Sequence, residues 1–298
     1  MKHLRRSMLY VPGNNPGMVK DAGIYGADCV MFDLEDSVAI SEKDAARLLV
    51  YEALRAIEYA NSQIMVRIND LSTDLGKKDL EAIVPLKKAG IRLPKAETAK
   101  DITNCSNLIA KLEKDNAIAP GSIKMMASIE SAKGVLNAKE IAAADPRLVA
   151  IAIGAEDYTA DIKTNRSREG TELFFARSMI LLAARSAGID AIDTVFSDIN
   201  DEEGFKEEVR LIKQLGFDGK SIVNPRQIRP IHEIYSPTDK EIEKALQIME
   251  AFEEARRKGS GVIALNGKMI DRPVVARAQR ILDLAGEIRL LEIRESNA

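Results

Sequence analysis

The residues of this 298-residue chain that could do chemistry are mostly carboxylates. Glu130 closes the apolar run Met125-Met126-Ala127-Ser128-Ile129, and Asp157 follows the apolar run Val149-Ala150-Ile151-Ala152-Ile153. If the two runs are neighbouring parallel strands about 4.8 Å apart, both side chains reach one cation. Two carboxylates plus waters suit Mg²⁺, a hard ion that takes octahedral oxygen ligands and keeps several of its waters. Glu35 and Asp36, in Asp33-Leu34-Glu35-Asp36, are candidates to hold those waters. The plainer alternative is that Glu130 caps the next helix and Asp157 is merely solvated.

Arg67 ends the run Ile64-Met65-Val66 and faces the same rim. Its guanidinium could grip a substrate carboxylate through two N–H donors, or pair with Asp33 or Glu35. Lys95, after Pro94, is a conceivable Schiff-base lysine, but the nearby acids would keep it protonated.

Composition narrows the choice of metal. There are two histidines (His3, His232) and two cysteines (Cys29, Cys105), so a zinc or haem site built on these residues is nearly excluded. A disulfide framework is excluded too, which fits a reducing cytoplasm. Any metal should therefore sit on carboxylate oxygens. The net charge of −3 offers no basic surface for nucleic acid or acidic membranes. With 46% hydrophobic and 30% charged residues the composition is that of a globular protein. No apolar run approaches the roughly 20 residues that span a bilayer. The N-terminus is basic, but the apolar stretch 7–11 is too short for a signal peptide. A cytoplasmic location is the expectation.

These residues need a scaffold that brings strand ends to one rim. Short β-rich runs occur at 7–11, 28–34, 63–68, 90–93, 123–129, 148–153, 190–195 and 220–223. Several are apolar on both faces, as parallel strands buried on both sides must be. Between them, helical periodicity runs over 42–57, 77–88, 98–114, 131–144, 171–187 and 202–215. The strongest is 171–187, with Leu173, Phe174, Ile180 and Leu181 on its apolar side. Gly90, Gly188 and Gly216 read as helix stops. Eight strand–helix alternations predict a (β/α)8 TIM barrel over 1–237, of about 250 residues in general. An open doubly wound sheet is the rival, disfavoured because no glycine-rich dinucleotide fingerprint follows the first strand. Helices at 238–258 and 272–293 form a C-terminal helical extension over 238–298, joined by a stretch containing Gly259, Gly261 and Gly267. In a barrel the C-terminal strand ends carry the active site. Seven of the eight ends read as polar there, Asp193-Thr194 of the seventh strand and Asn224 of the eighth among them.

Taken together, these residues resemble the HpcH/HpaI-type aldolases and acyl-CoA lyases, and within them the beta subunits of citrate lyase. The matching pieces are Arg5-Arg6-Ser7-Met8-Leu9-Tyr10-Val11-Pro12-Gly13, Asp33-Leu34-Glu35-Asp36-Ser37-Val38, Val66-Arg67-Ile68-Asn69, Leu93-Pro94-Lys95, Ile129-Glu130, Gly154-Ala155-Glu156-Asp157-Tyr158 and Asn266-Gly267-Lys268-Met269-Ile270-Asp271-Arg272-Pro273. The resemblance implies a lyase that splits a citryl group on an acyl-carrier protein into oxaloacetate and the acetyl carrier. Malyl-CoA or citramalyl-CoA cleavage by the same chemistry is the alternative. It implies that Glu130 and Asp157 bind Mg²⁺, that Arg67 holds the keto-acid carboxylate, and that Glu35 and Asp36 lie near metal-bound water. It further implies that Asp271 acts in a neighbouring subunit's site, and that an acyl-carrier protein subunit, a transferase (alpha) subunit and further copies of this chain are partners. The sequence departs from the usual family pattern in three places. Ser131 stands for Thr, Asn224 for a histidine, and Arg92-Leu93-Pro94 is more polar than the usual fourth strand.

The chemistry that the resemblance implies is retro-Claisen cleavage between the hydroxyl-bearing carbon and the thioester α-carbon. A Lewis acid on Glu130 and Asp157 lowers the hydroxyl's pKa, so that a weak base suffices. Arg67 neutralises charge on the keto acid. Backbone N–H groups near Ala155, Glu156 and Asp157 are further candidates to bind its carboxylate. Asp271 is the candidate proton donor to the enolate carbon, and it also reads as a helix N-cap before Arg272-Pro273. A non-catalytic scaffold subunit and a Schiff-base aldolase acting through Lys95 are the competing classes.

Overall fold

In the computed structural model, which describes residues 3–59, 61–257, 263–265 and 268–296, the eight apolar runs become eight parallel strands that close on themselves. They are β1 (Ser7–Pro12), β2 (Cys29–Asp33), β3 (Gln63–Arg67), β4 (Gly90–Leu93), β5 (Met125–Ile129), β6 (Leu148–Ile153), β7 (Asp190–Asp193) and β8 (Gly219–Ile222). Each pairs with its neighbours in sequence, and β8 returns to β1 through Ser7–Lys220, Met8–Ser221 and Leu9–Ile222. An open sheet would leave two unpaired edges. This one leaves none, so the doubly wound alternative falls away.

Alternation along each strand sorts its side chains between the barrel interior and the helix layer. The interior holds Met8, Cys29, Met31, Met65, Met126, Ala150, Ala152 and Ile192 in one buried cluster. Methionine is unbranched and adaptable, and suits an irregular interior. Toward the C-terminal strand ends this lining turns polar. Asp33, Arg67 and Arg92 are register partners across β2, β3 and β4, so one level of the barrel carries three charged side chains side by side. The cysteine thiols are both buried, which pushes each up to about 12 and keeps it protonated.

The helix layer follows local chemistry closely. The chain forms α1 (Pro16–Asp21), α2 (Lys43–Ala56), α3 (Asp74–Ile83), α4 (Ala99–Asp115), α5 (Ala132–Leu136), α6 (Ala138–Ala142), α7 (Ala155–Asp161), α8 (Phe174–Ala187), α9 (Glu202–Leu215) and α10 (Ile228–Tyr235). Thr98 and Asp101 form a reciprocal capping box at the start of α4. Asp201 caps α9, and Gly216 ends it in a left-handed conformation (φ 110°). Gly188 ends α8 in the same way.

Several expectations are corrected. Gly90 is not a helix stop but the first residue of β4, where a Cβ would meet Met65 Sδ at 2.6 Å. The segment 131–144 is two short helices, because the chain breaks step at Asn137, whose Nδ2 donates to the Glu97 carbonyl at 2.9 Å. The third helix starts three residues earlier than expected and stops at Ile83, because Pro85 opens a 3-10 turn. Phe174 lies outside the apolar face of α8 and is exposed, as is Phe175.

The chain divides into two compact units, Met1–Ile231 and His232–Ala298. The division falls inside α10 rather than at the expected 237/238. The second unit contains α11 (Asp239–Arg257), α12 (Arg272–Ser296) and an antiparallel hairpin of β9 (Ile263–Leu265) and β10 (Lys268–Ile270) that sequence reading missed. Gly259, Gly261, Asn266 and Gly267 lie outside the described residues. Among the described residues no helix is long and apolar enough to cross a membrane.

Candidate active site

The polar rim encloses a cavity of about 420 Å³ at the C-terminal ends of the strands. Tyr10 and Pro12 of β1, Asp33 of β2, Arg67 of β3, Arg92 of β4 and Glu130 after β5 all reach it. The loop after β6 completes the wall with Gly154, Ala155, Glu156 and Asp157, and Thr194, Ser221 and Val223 close the circuit.

The acidic turn after β2 is held from below. Asp33 is 1% exposed and its carboxylate accepts the N–H groups of Glu35 (2.9 Å) and Ser37 (3.1 Å). Lys43 donates to the carbonyls of Leu34 and Glu35 at 2.8 and 2.5 Å. The turn therefore presents Glu35 and Asp36 toward Arg67 and Lys95. Lys95 takes a left-handed backbone conformation (φ 52°) and its ammonium lies 2.9 Å from Glu35 Oε1. The Glu35 hydrogen bond raises the Lys95 pKa, so the amine stays protonated, against the Schiff-base alternative.

Arg67 is paired rather than free. Its Nε and Nη2 donate to the two Asp33 carboxylate oxygens, both at 2.7 Å. Its Nη1 lies 3.0 Å from Glu35 and 3.1 Å from Asp36. The two-donor edge that could grip a substrate carboxylate is thus occupied by Asp33, and Nη1 is what remains for a ligand, in exchange for Glu35 or Asp36. Burial pushes the Asp33 carboxyl up, but the Arg67 guanidinium outweighs it and holds the group below the usual carboxylate range.

Glu130 is 6% exposed, and its Oε2 is buried with no hydrogen-bond partner among the described residues. It lies against Gly154, where a Cβ would come within 2.5 Å of Glu130 Cγ and 2.9 Å of Oε1. Burial pushes its carboxyl up to about 7, with Arg67 opposing and Glu35 reinforcing. Glu35 is also raised to about 7 by burial and by its Asp36 neighbour. Asp157, in the first turn of α7, is exposed and makes no hydrogen bond or ion pair among the described residues. A buried, unpartnered carboxylate oxygen beside a second free carboxylate fits a hard divalent cation. No three His, Cys, Asp or Glu side chains form a metal cage among the described residues, so waters or a ligand would complete the shell.

The other expected residues divide. The Ala155 N–H donates to Thr194 Oγ1 at 3.1 Å and is not available to a ligand. The Glu156 side chain turns to Arg166 (3.2 Å), so only its backbone can serve the cavity. The N–H groups of Glu156 and Asp157 are first-turn donors without intrahelical acceptors. Asp193 is corrected. It points out of the barrel to Arg177 and Lys220, and only its neighbour Thr194 faces the cavity. Asn224 caps the turn after β8 in a capping box with Gln227. Asp271 caps α12, accepting the Val274 N–H at 3.1 Å, and it belongs to the second unit. Sequence reading placed Thr194 at the rim only together with Asp193, and it missed Tyr10 and Arg92. Arg92 had left one signal, an arginine in an otherwise apolar strand.

Comparison with known proteins fits this architecture. The HpcH/HpaI aldolase/citrate lyase family description matches residues 6–225. The citrate lyase subunit beta of Leuconostoc mesenteroides subsp. cremoris is 56% identical over 291 residues, 98% of this chain and 96% of that one. A (3S)-malyl-CoA thioesterase of Cereibacter sphaeroides is 35% identical over 286 residues, 96% of each chain. A crystal structure of CitE from Mycobacterium tuberculosis with magnesium, acetoacetate and coenzyme A superposes with a TM-score of 0.77 at 33% identity, covering 96% of this chain and 100% of that one. A citrate lyase beta subunit from M. tuberculosis with oxaloacetate and magnesium gives a TM-score of 0.66 at 33% identity over 78% of this chain and 98% of that one. With the family description spanning the whole barrel and a beta subunit more than half identical along nearly all of its length, the chain belongs to the HpcH/HpaI aldolase/citrate lyase family.

Proposed function

We propose that this protein is a Mg²⁺-dependent carbon–carbon lyase that cleaves a citryl thioester on an acyl-carrier protein to oxaloacetate and the acetyl carrier. The observation that carries this reading is the buried, unpartnered Oε2 of Glu130, a residue that lines the same cavity as Asp157. Its strongest support outside the site is the 56% identity to a citrate lyase subunit beta.

Glu130 and Asp157 would hold the ion, and Glu35 and Asp36 would hold its waters. Bound there, Mg²⁺ supplies a Lewis acid for the substrate hydroxyl and its adjacent carboxylate. Arg67 offers Nη1 to the developing keto acid, with Asp33 fixing the guanidinium plane from behind. The free N–H groups of Glu156 and Asp157 offer a second anchor for a carboxylate. In the reaction the hydroxyl proton leaves, and the C–C electron pair passes to the thioester α-carbon as an enolate. A proton then returns to that carbon. Asp271 of a neighbouring copy is the proposed donor, which makes a homo-oligomer part of the reading. The acyl-carrier protein subunit and the transferase (alpha) subunit are the further proposed partners, and the cytoplasm the proposed location.

The test is cleavage of citryl, malyl and citramalyl thioesters with and without EDTA. Citryl cleavage that EDTA abolishes is expected. Cleavage of malyl-CoA alone would replace this reading with a malyl-CoA lyase. Activity untouched by EDTA would remove the metal. Mixed oligomers of Asp271→Asn and Glu130→Gln should regain activity that each variant lacks, and no regain removes Asp271 from the neighbour's site.

A further inference from the structure

Five arginines are buried among the described residues: Arg5, Arg6, Arg92, Arg147 and Arg177. Four are paired with a carboxylate. Arg5 meets Asp190, Arg6 meets Asp28, Arg147 meets Glu113, and Arg177 meets Asp193 and Glu208. Arg92 has no such partner. It is 2% exposed, its Nε donates to Ser128 Oγ at 2.8 Å, and its Nη1 approaches Met8 Sδ at 3.2 Å. Both contacts are neutral, and the sulfur is a weak acceptor. A buried charge without a counter-charge is costly, and folded proteins nearly always supply one.

The unpaired cation opens onto the proposed active site. Arg92 lines the same cavity as Glu130 and Asp157. It is the register partner of Arg67. The two guanidinium carbons lie 5.1 Å (Arg67) and 5.5 Å (Arg92) from the centroid of the Tyr10 ring, within cation–π range. One ring thus contacts two cations of different status. Arg67 is neutralised by Asp33, Glu35 and Asp36, while Arg92 forms no ion pair with a carboxylate among the described residues.

A citryl thioester differs from a citramalyl thioester by one carboxylate, carried on a CH₂ of the hydroxyl-bearing carbon. Oxaloacetate differs from pyruvate by the same group. We propose that Arg92 is the counter-charge for that additional carboxylate and is the residue that selects a citryl over a citramalyl or malyl group. This inference rests on the thioester-lyase reading above and extends it to specificity. A site built around a buried charge rejects an analogue lacking the matching group, because the charge is then left unpaired.

The test compares the parent protein with Arg92→Met and Arg92→Lys. Methionine continues the Met8–Met31–Met65 lining and removes an unpaired buried charge, so Arg92→Met should unfold at the same temperature as the parent or higher. The ratio of kcat/KM for citryl-CoA to that for citramalyl-CoA should fall by about 10²-fold, mainly through KM, with partial recovery in Arg92→Lys. Calorimetry with Mg²⁺ present should show Arg92→Met losing affinity for oxaloacetate but not for pyruvate. An equal loss on both thioesters together with a lower unfolding temperature would assign Arg92 a structural role and overturn the proposal, as would an unchanged ratio. If the parent cleaves no citryl thioester, the lyase reading fails separately. The oxaloacetate–pyruvate comparison then still decides the role of Arg92.

Discussion

Glu130 lies so close to the α-carbon of Gly154 that a methyl group there would come within 2.5 Å of its Cγ. The glycine φ of −103° is one that any residue adopts, so the requirement is for space rather than for backbone freedom. Gly154 also opens α7, which carries Asp157, so one residue sets the distance between the two proposed metal ligands. Gly154→Ala should leave the barrel folded and push the Glu130 carboxylate off its line. A misplacement near 1 Å can cost about 10²-fold in rate. The expected result is a loss of that order in kcat/KM with weaker Mg²⁺ binding and an unchanged circular dichroism spectrum. Parent-like activity would show that Glu130 has room to adjust.

The metal-free site should resist deprotonation. Burial raises both Glu35 and Glu130 to about 7, against starting values of 4.5, and the two titrate as an interacting set. Between 4.5 and about 7 the folded protein therefore keeps protons that the unfolded chain releases, and these groups make the metal-free protein less stable as pH rises through that window. Mg²⁺ needs the ionised carboxylates, so its binding must expel protons. Apparent Mg²⁺ affinity should climb from about pH 6 to about pH 8, by up to about tenfold per unit for each proton displaced. Calorimetry in two buffers of different ionisation enthalpy measures the release directly. Affinity independent of pH, with no proton released, would contradict the assignment of Glu130.

The barrel was legible because its strands are apolar on both faces and its helices begin and end on marked residues. The sixth strand, 148–153, and the helix 202–215 match their expected bounds, the latter between the Asp201 cap and Gly216. The α7 helix was not legible, since it follows β6 directly and buries only Ala155, Tyr158 and Thr159. Glu130 and Asp157 could be placed at the rim from strand order alone. For Arg67 the sequence left two readings open, a substrate clamp or a pair with Asp33 or Glu35, and only the β2–β3 register, which sets Asp33 opposite Arg67, decides for the pair. Arg92 stood out as a polar residue in an apolar strand. Its lack of a carboxylate becomes visible only once every strand is in place.

Asp193 illustrates a signal that was present and misread. Ile192 belongs to the interior cluster and Thr194 lines the cavity, so strand alternation sends Asp193 outward into the helix layer. There it is fully buried, with Arg177 donating from Nε at 2.8 Å and Nη2 at 3.0 Å and Lys220 Nζ at 2.7 Å. Glu208 completes the cluster against the same two cations. Burial alone would raise the Asp193 carboxyl, but Lys220 and Arg177 outweigh it and hold it down at about 2, against a starting value of 3.8. Its stabilising contribution is therefore complete above pH 3.8 and is lost as the pH falls toward about 2. Removing one member of a buried ion cluster leaves its partners uncompensated, a loss of about 3–5 kcal/mol. Asp193→Asn should lower the unfolding free energy from urea titration at pH 7 by that amount and flatten the acid limb between 3.8 and about 2, while the folded protein keeps the Mg²⁺ affinity of the parent. A variant as stable as the parent would mean that Glu208 alone balances both cations. A variant that folds normally but loses Mg²⁺ would return Asp193 to the rim.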